Sequence, residues 1–254
     1  MKYVGSKNKI SKHIAPILQS FIDNNHVNIY YEPFCGGLNM MDKIRCKNRV
    51  GNDIHKELIA LLKAMQSGWI PPQTISEEEY NAVRLHKEDY PDYYVGLIGF
   101  CATFGSKWFG GYARGCKPDG SPRNYYQESI RNLTKQLPLI QDVKLTSKDY
   151  LEINMDTLHN ALVYCDPPYR GVTKYATEIF DYGRFYDWCR VVAKTNILCV
   201  SEYNMPDDFT CIWQKSVTTS LDVSNQRHIN EARTEKLFML HPEKYGLTSS
   251  FKAK

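Results

Sequence analysis

Residues 161–169 read ALVYCDPPY, and no other stretch restricts the fold of this chain as sharply. Ala161 to Cys165 form an apolar run with the length of a buried strand. Asp166, Pro167 and Pro168 end that strand at once, because neither proline has an N–H to continue a ladder or a helix. The chain thus presents, at one strand end, a carboxylate, two carbonyls held by rigid rings and the aromatic side chain of Tyr169. Two uses fit such a corner: a loop that needs stiffening, or a pocket for a flat, hydrogen-bonding substrate.

The rest of the pattern predicts the sheet to which that strand belongs. Residues 28–34 (NIYYEPF) predict a strand closed by Cys35-Gly36-Gly37, followed by a helix over Leu38–Arg45. A short strand at Arg49–Asp53 leads to a second helix, on which Ile54, Leu58, Leu61, Leu62 and Met65 share one apolar face. Gly68 and Pro71-Pro72 end it. Strand–helix–strand–helix is the start of a parallel sheet with right-handed crossovers. Ser76 with Glu79 is a capping box, and it opens a region crowded with tyrosine, phenylalanine and glycine. A helix over Tyr125–Leu137 closes that region, with a turn expected before it at Lys117–Gly120. Strands resume at Val143–Thr146, Ala161–Cys165, Ile197–Ser201, Cys211–Lys215 and Lys236–Leu240. Phe185, Trp188, Cys189 and Val192 mark the buried face of an intervening helix. The polar tail from Tyr245 onward is expected to fray. The expected architecture is α/β: one open sheet from residues 1–70 and 140–254, with a mainly helical insert at 71–139.

Composition excludes several classes. Apolar residues make up 43% and charged residues 24%, which is ordinary for a soluble globular chain. No apolar stretch approaches the roughly 18 residues of a membrane span, and the basic N-terminus lacks the apolar core of a secretory signal. A soluble, cytoplasmic protein with no membrane partner is expected. None of the eight cysteines forms a C-x-x-C or a close cluster with histidine, so no metal site and no disulfide framework is expected. Residues 100–150 carry eight basic against four acidic side chains, an excess equal to the whole chain's +4. Such a local excess is a candidate polyanion footprint, set against ordinary solvated lysines.

Candidate site residues gather at the predicted strand ends, where open α/β sheets bind ligands. Glu32-Pro33-Phe34-Cys35-Gly36-Gly37 leads a strand into a glycine turn, which lets a ligand approach the backbone; a plain tight turn accounts for it equally. Asp53 either caps the following helix or accepts from ribose hydroxyls. Asp149 ends another strand and either touches a bound cofactor or forms a surface turn. In residues 99–115 (GFCATFGSKWFGGYARG), Lys107 and Arg114 are placed to take phosphates, and Trp108 or Tyr112 to wedge or stack. The alternative for the aromatics is a hydrophobic cluster supporting the insert.

Taken together these motifs make the chain resemble the amino-group DNA methyltransferases, most closely the Dam-like, D12 class adenine-N6 family with α-type motif order. Lys2-Tyr3-Val4-Gly5-Ser6-Lys7 is similar to its N-terminal cofactor motif, Glu32–Gly37 to its methionine-side loop, Asn52-Asp53 to its ribose-binding acid and Asp166–Tyr169 to its catalytic motif. The resemblance implies a Rossmann-like S-adenosylmethionine-dependent methyltransferase sheet. It implies that Tyr3, Gly5, Lys7, Glu32, Phe34, Gly36, Asp53 and Asp166 bind S-adenosylmethionine, with Asp149 a further candidate. It implies that Asp166, Pro167, Pro168 and Tyr169 act on the substrate, and that the insert reads double-stranded DNA, with Lys107, Trp108, Tyr112, Arg114 and Arg123 as its candidate contacts. A cognate restriction endonuclease system is an implied partner. One position departs from the family loop F-x-G-x-G: its last glycine is Leu38 here.

The residue types suit that chemistry. An adenine N6 amine is a poor nucleophile inside a duplex, so it must be flipped out at a cost of a few kcal/mol. The Asp166 carboxylate and the Pro167 carbonyl can accept its two hydrogens, and Tyr169 offers a stacking face worth about 1–3 kcal/mol. Transfer from a sulfonium needs no metal. Cytosine-C5 chemistry is disfavoured, because no cysteine follows a proline. The alternatives are transfer to another amine or amide (cytosine N4, RNA adenine or a protein glutamine) and a DNA-binding relative without catalysis.

Overall fold

The computed structural model describes residues 1, 3, 5–117, 119–154, 158–169, 180–218 and 232–247. Lys2, Val4, Pro118 and the expected frayed tail from 248 onward lie outside them. The strands are β1 (Ile29–Glu32), β2 (Asn48–Asn52), β3 (Lys144–Thr146), β4 (Ala161–Cys165), β5 (Ile197–Glu202), β6 (Thr210–Thr218) and β7 (Ala232–Met239). They form one sheet in the order β3-β2-β1-β4-β5-β7-β6. β1 to β5 run parallel, and β7 lies antiparallel between β5 and β6. From β1 the chain steps outward through β2 and β3, then returns to β4 on the other side of β1. Strand order therefore reverses between β1 and β4, and a crevice opens beyond their carboxyl ends. Tyr31 pairs with Val163 there, so the Glu32 and Asp166 motifs leave the sheet side by side.

Both faces of the sheet are covered. Tyr30, Leu162, Tyr164, Ile197 and Cys199 point into one core, with Leu18 and Ile22 of α1 (Ser11–Asn24) and Leu58 and Leu62 of α2 (Lys56–Gln66). The alternate residues Tyr31, Val163, Cys165, Leu198 and Val200 meet Phe185, Cys189 and Val192 of α6 (Tyr182–Val192). This period-two division between two buried faces is why β4 and β5 read as unbroken apolar runs. α1 is a helix that a charge-based reading of the N-terminus passes over, although Ile14, Leu18, Phe21 and Ile22 recur at helical spacing.

Residues 71–139 are largely helical, as expected: α3 (Glu77–Leu85), α4 (Asp92–Cys101) and most of α5 (Tyr125–Ile140). Ser76 Oγ caps α3 by accepting from the Glu79 N–H at 3.1 Å. The Glu79 carboxylate does not turn back to complete the box but accepts from the Tyr94 hydroxyl. Leu97, Ile98 and Phe100 of α4 and Leu133 of α5 share the core that holds α2.

Two local expectations are corrected. Leu38–Arg45 is not an α-helix but a turn and a single 3-10 turn at Met41–Lys43. Leu38 stands at φ +57°, a left-handed geometry that costs a non-glycine residue about 1–2 kcal/mol. Its complete burial offsets that cost. The Arg49 guanidinium donates to the Met41 and Ile44 carbonyls at 3.0 and 3.2 Å, which supplies partners that a helix would otherwise provide. Ile54 is 68% exposed and not on the α2 face, because the helix starts two residues later.

α2 and α4 cross at Gly96, where an added Cβ would sit 2.1 Å from the Glu57 carbonyl oxygen. Backbone cannot move aside as a side chain can. Gly96→Ala is expected to cost about 1–3 kcal/mol, read as a lower urea midpoint with an unchanged m-value. An unaltered midpoint would mean that the two helices do not meet at this residue.

Candidate active site

Past the end of β1 the chain makes a glycine turn. Gly36 has φ +47°, and a Cβ on it would lie 2.8 Å from the Tyr3 ring, so glycine is required both for the turn and for Tyr3. The Gly36 N–H donates to Asp53 Oδ2 at 2.9 Å, and the His55 N–H donates to Asp53 Oδ1 at 3.0 Å. Asp53 thus braces the turn and holds the N–H of His55, but it does not cap α2, whose N-cap is His55 with no side-chain bond. Burial raises its carboxyl above the usual range, against the pull of those two N–H groups. The Asn52 side chain ties this end of the sheet together, donating to the Pro33 and Lys148 carbonyls at 3.1 and 2.9 Å. Tyr3, Gly36 and Asp53 are therefore brought to one place, and the exposed Gly5 (φ +75°) turns the chain between Tyr3 and Lys7.

Glu32, the last residue of β1, is 3% exposed and accepts from the Tyr30 hydroxyl at 2.8 Å. Burial raises its carboxyl to about 8; the Tyr30 hydrogen bond opposes this, and the nearby Asp166 charge adds to it. Phe34 points elsewhere, into an aromatic cluster with Tyr150, Phe180 and Phe185 at centroid distances of 5.2, 5.9 and 5.7 Å. Asp149 Oδ1 accepts from the Leu151 N–H at 2.9 Å, the turn arrangement of its two readings.

At the end of β4 the Asp166 carboxylate meets Lys7. Lys7 Nζ lies 3.0 Å from Asp166 Oδ1, 3.5 Å from Glu235 Oε2 and 4.0 Å from the centre of the Tyr169 ring. Burial pulls the Lys7 ammonium down, but Asp166 and Glu235 outweigh it, and the group stays above the usual lysine range. Burial lifts Asp166 to about 6, with Lys7 restraining the rise. Tyr169 donates its hydroxyl to Glu235 at 3.0 Å and packs edge-on against Tyr203 at 4.6 Å. The Tyr182 hydroxyl donates to the Pro168 carbonyl at 3.0 Å. No local motif marks Glu235, Tyr203 or Tyr182. They reach the corner from β7, the end of β5 and α6.

The candidate insert contacts fall into two groups. Lys107 is exposed. Arg114 pairs with Glu77, and Arg123 grips Glu128 with two bonds of 2.8 and 2.9 Å while lying over the Tyr125 ring. Trp108 packs between His55 and Phe100 at 4.2 and 4.8 Å, and Tyr112 donates to the Ile75 carbonyl at 2.8 Å. Both aromatics thus pack inward, in the manner of a supporting cluster. A basic cleft of about 660 Å³ lies instead at the open edge of β6, lined by His13, Lys215 and Lys236 among others. Lys215 Nζ is 2.8 Å from His13 Nε2. Sequence reasoning does not find this cleft, because its residues come from opposite ends of the chain. Among the described residues no His, Cys, Asp and Glu group could hold a metal ion, and no helix is long and apolar enough to cross a membrane.

A doubly wound sheet with functional groups at its strand reversal defines a Rossmann-like α/β protein. Residues 3–103 of the chain match the family pattern of the D12 class N6 adenine-specific DNA methyltransferases. It is similar to the modification methylase StsI of Streptococcus sanguinis, with 24% identity over 74% of this chain and 31% of that one. It is also similar to the type II methyltransferase M.CviBI of Paramecium bursaria Chlorella virus NC1A, with 29% identity over 61% of this chain and 62% of that one. The chain thus spans less than two thirds of either relative. The crystal structure of SMU.472 complexed with SAH aligns with 93% of this chain and 55% of its own, at 10% identity and a TM-score of 0.34.

A carboxyl near 8 in the fold and near 4.5 when unfolded binds a proton in the native state that the unfolded chain lacks. Stability therefore falls as pH rises from about 4.5 to about 8. Glu32→Gln, which is neutral throughout, should match the wild type near pH 5 and exceed it above pH 8, by on the order of 2–5 kcal/mol. Parallel melting curves across pH for the two proteins would show Glu32 to be ionised in the fold.

Proposed function

We propose that the protein transfers a methyl group from S-adenosylmethionine to the N6 amine of an adenine flipped out of double-stranded DNA. The observation that carries this reading is the position of Asp166–Tyr169 at the end of β4, across the strand reversal from the Gly36 turn at the end of β1. The residues suit the cofactor: Gly36 lets the Tyr3 ring lie against the turn backbone, and each Asp53 oxygen takes one backbone N–H and keeps a lone pair for a hydroxyl. When bound, S-adenosylmethionine supplies an electrophilic methyl group. The names of the relatives favour the modification half of a restriction–modification system.

The chain's own groups do the rest. Tyr169, with its hydroxyl anchored, offers its ring to the extruded base. The Asp166 carboxylate and the Pro167 carbonyl accept the two amine hydrogens, which turns the nitrogen lone pair toward the methyl group. The proline rings hold both acceptors with little freedom to lose. With its carboxyl lifted to about 6, Asp166 is ionised at neutral pH and can take the proton that the amine releases once alkylated. Lys107 and the His13–Lys215 cleft are open to phosphates, whereas Arg114 and Arg123 must first exchange their acidic partners.

Incubation of the protein with methyl-labelled cofactor and duplex DNA should put the label on adenine N6. Asp166→Ala should reduce transfer by at least about 100-fold while DNA binding holds. Near-normal turnover by the variant, or label on protein instead of DNA, would overturn the assignment. Lys215→Ala should reduce the slope of log K against log salt for DNA binding by about 1. An unchanged slope would remove the cleft from the DNA path.

A further inference from the structure

Glu235 takes no part in the reaction as described, yet it touches Tyr169, which does, and Lys7, the ion-pair partner of Asp166. Its strand, β7, is separated from β4 by β5. Its carboxylate, only 13% exposed, accepts from the Tyr169 hydroxyl at 3.0 Å and lies 3.5 Å from Lys7 Nζ. That ammonium is itself 3.0 Å from Asp166 Oδ1 and 4.0 Å from the centre of the Tyr169 ring. One buried cation is thus shared by two carboxylates, above the ring on which a base would stack.

A substrate adenine would use an Asp166 oxygen and a Tyr169 face, and Lys7 Nζ engages both groups: it holds Asp166 Oδ1 and lies over the Tyr169 ring. It has little water to retreat into, because its side chain is 9% exposed. A buried ammonium stripped of its carboxylate bears the whole desolvation penalty, so displacement is feasible only toward another acid. Among the described groups that act on Lys7 (Asp166, Glu235 and Tyr203), Glu235 is the other carboxylate. We propose that Glu235 is the positioning residue of this corner: it takes over the Lys7 ammonium when the substrate amine claims Asp166, and it holds the Tyr169 ring by its hydroxyl meanwhile. The assignment rests on the methyl-transfer reading for its purpose but not for its test.

Glu235→Gln keeps an acceptor for the Tyr169 hydroxyl and removes the charge that receives Lys7; Glu235→Asp keeps the charge on a shorter arm. With a DNA substrate, kcat of the glutamine variant should fall by about 100-fold, with KM little changed and the aspartate variant recovering part of the loss. Wild-type kcat in Glu235→Gln would overturn the proposal. So would a loss that appears wholly in KM and the melting temperature, as a merely structural role would give. A second measurement needs no turnover: NMR of the full chain with labelled lysines, Lys7 being assigned through Lys7→Arg. In Asp166→Asn, Lys7 should keep a pKa at or above the ordinary lysine value, because Glu235 receives it; in Asp166→Asn with Glu235→Gln it should fall below. Equal values in the single and double variants would overturn the proposal. A wild-type protein that methylates no DNA would defeat the functional reading alone, and the Lys7 titration would still decide the role of Glu235.

Discussion

β1 and β4 are neighbours although more than a hundred residues of chain separate them, and the site depends on that pairing. Parallel strands of this kind cannot be joined by a hairpin, so the chain must leave β1, build the outer strands and the helices on them, and come back. The return creates a strand reversal, and the crevice beyond it is the one place where the Gly36 turn and the Asp166 corner can face a common ligand. A register slip of one residue in β4 would invert its faces and turn the pocket residues into the core.

Charge is the second organising constraint. Glu32, Asp53 and Asp166 converge on one half-dry region, and each has its carboxyl raised chiefly by burial. The fold manages this concentration of acid in three ways: a hydroxyl for Glu32, two backbone N–H groups for Asp53 and the Lys7 ammonium for Asp166. Only the third partner is mobile enough to be exchanged, since it sits at the end of a long side chain. That difference separates the acids that brace this region from the one proposed to meet a substrate.

The aromatic region before α5 shows how composition and role come apart. Its tyrosines and tryptophan suggest stacking surfaces, but Trp108 and Tyr112 pack inward against His55, Phe100 and the Ile75 carbonyl. Gly99 leaves the room that the Trp108 ring fills. Arg114 and Arg123 are held by Glu77 and Glu128, while Lys215, Lys236 and His13 meet at the far edge of the sheet beside β6.

By itself the sequence determined whatever follows from local rules. A five-residue apolar run stopped by two prolines reads as a buried strand with a rigid corner, so β4 and the corner at Asp166–Tyr169 were legible. The Gly36 turn was legible too, but Asp53 does not cap α2, because the helix starts at Lys56 with His55 as its N-cap. The Leu38–Arg45 segment was misread, because a helical pattern does not reveal that Arg49 takes up the carbonyls or that Leu38 adopts a positive φ. Glu235, Tyr203 and the His13–Lys215 contact were invisible, since each depends on residues far apart in the chain. Only the tertiary structure decided those, for a physical reason: a side chain's partners are set by which strands the sheet makes adjacent and which face each residue takes, and neither is encoded in any short window.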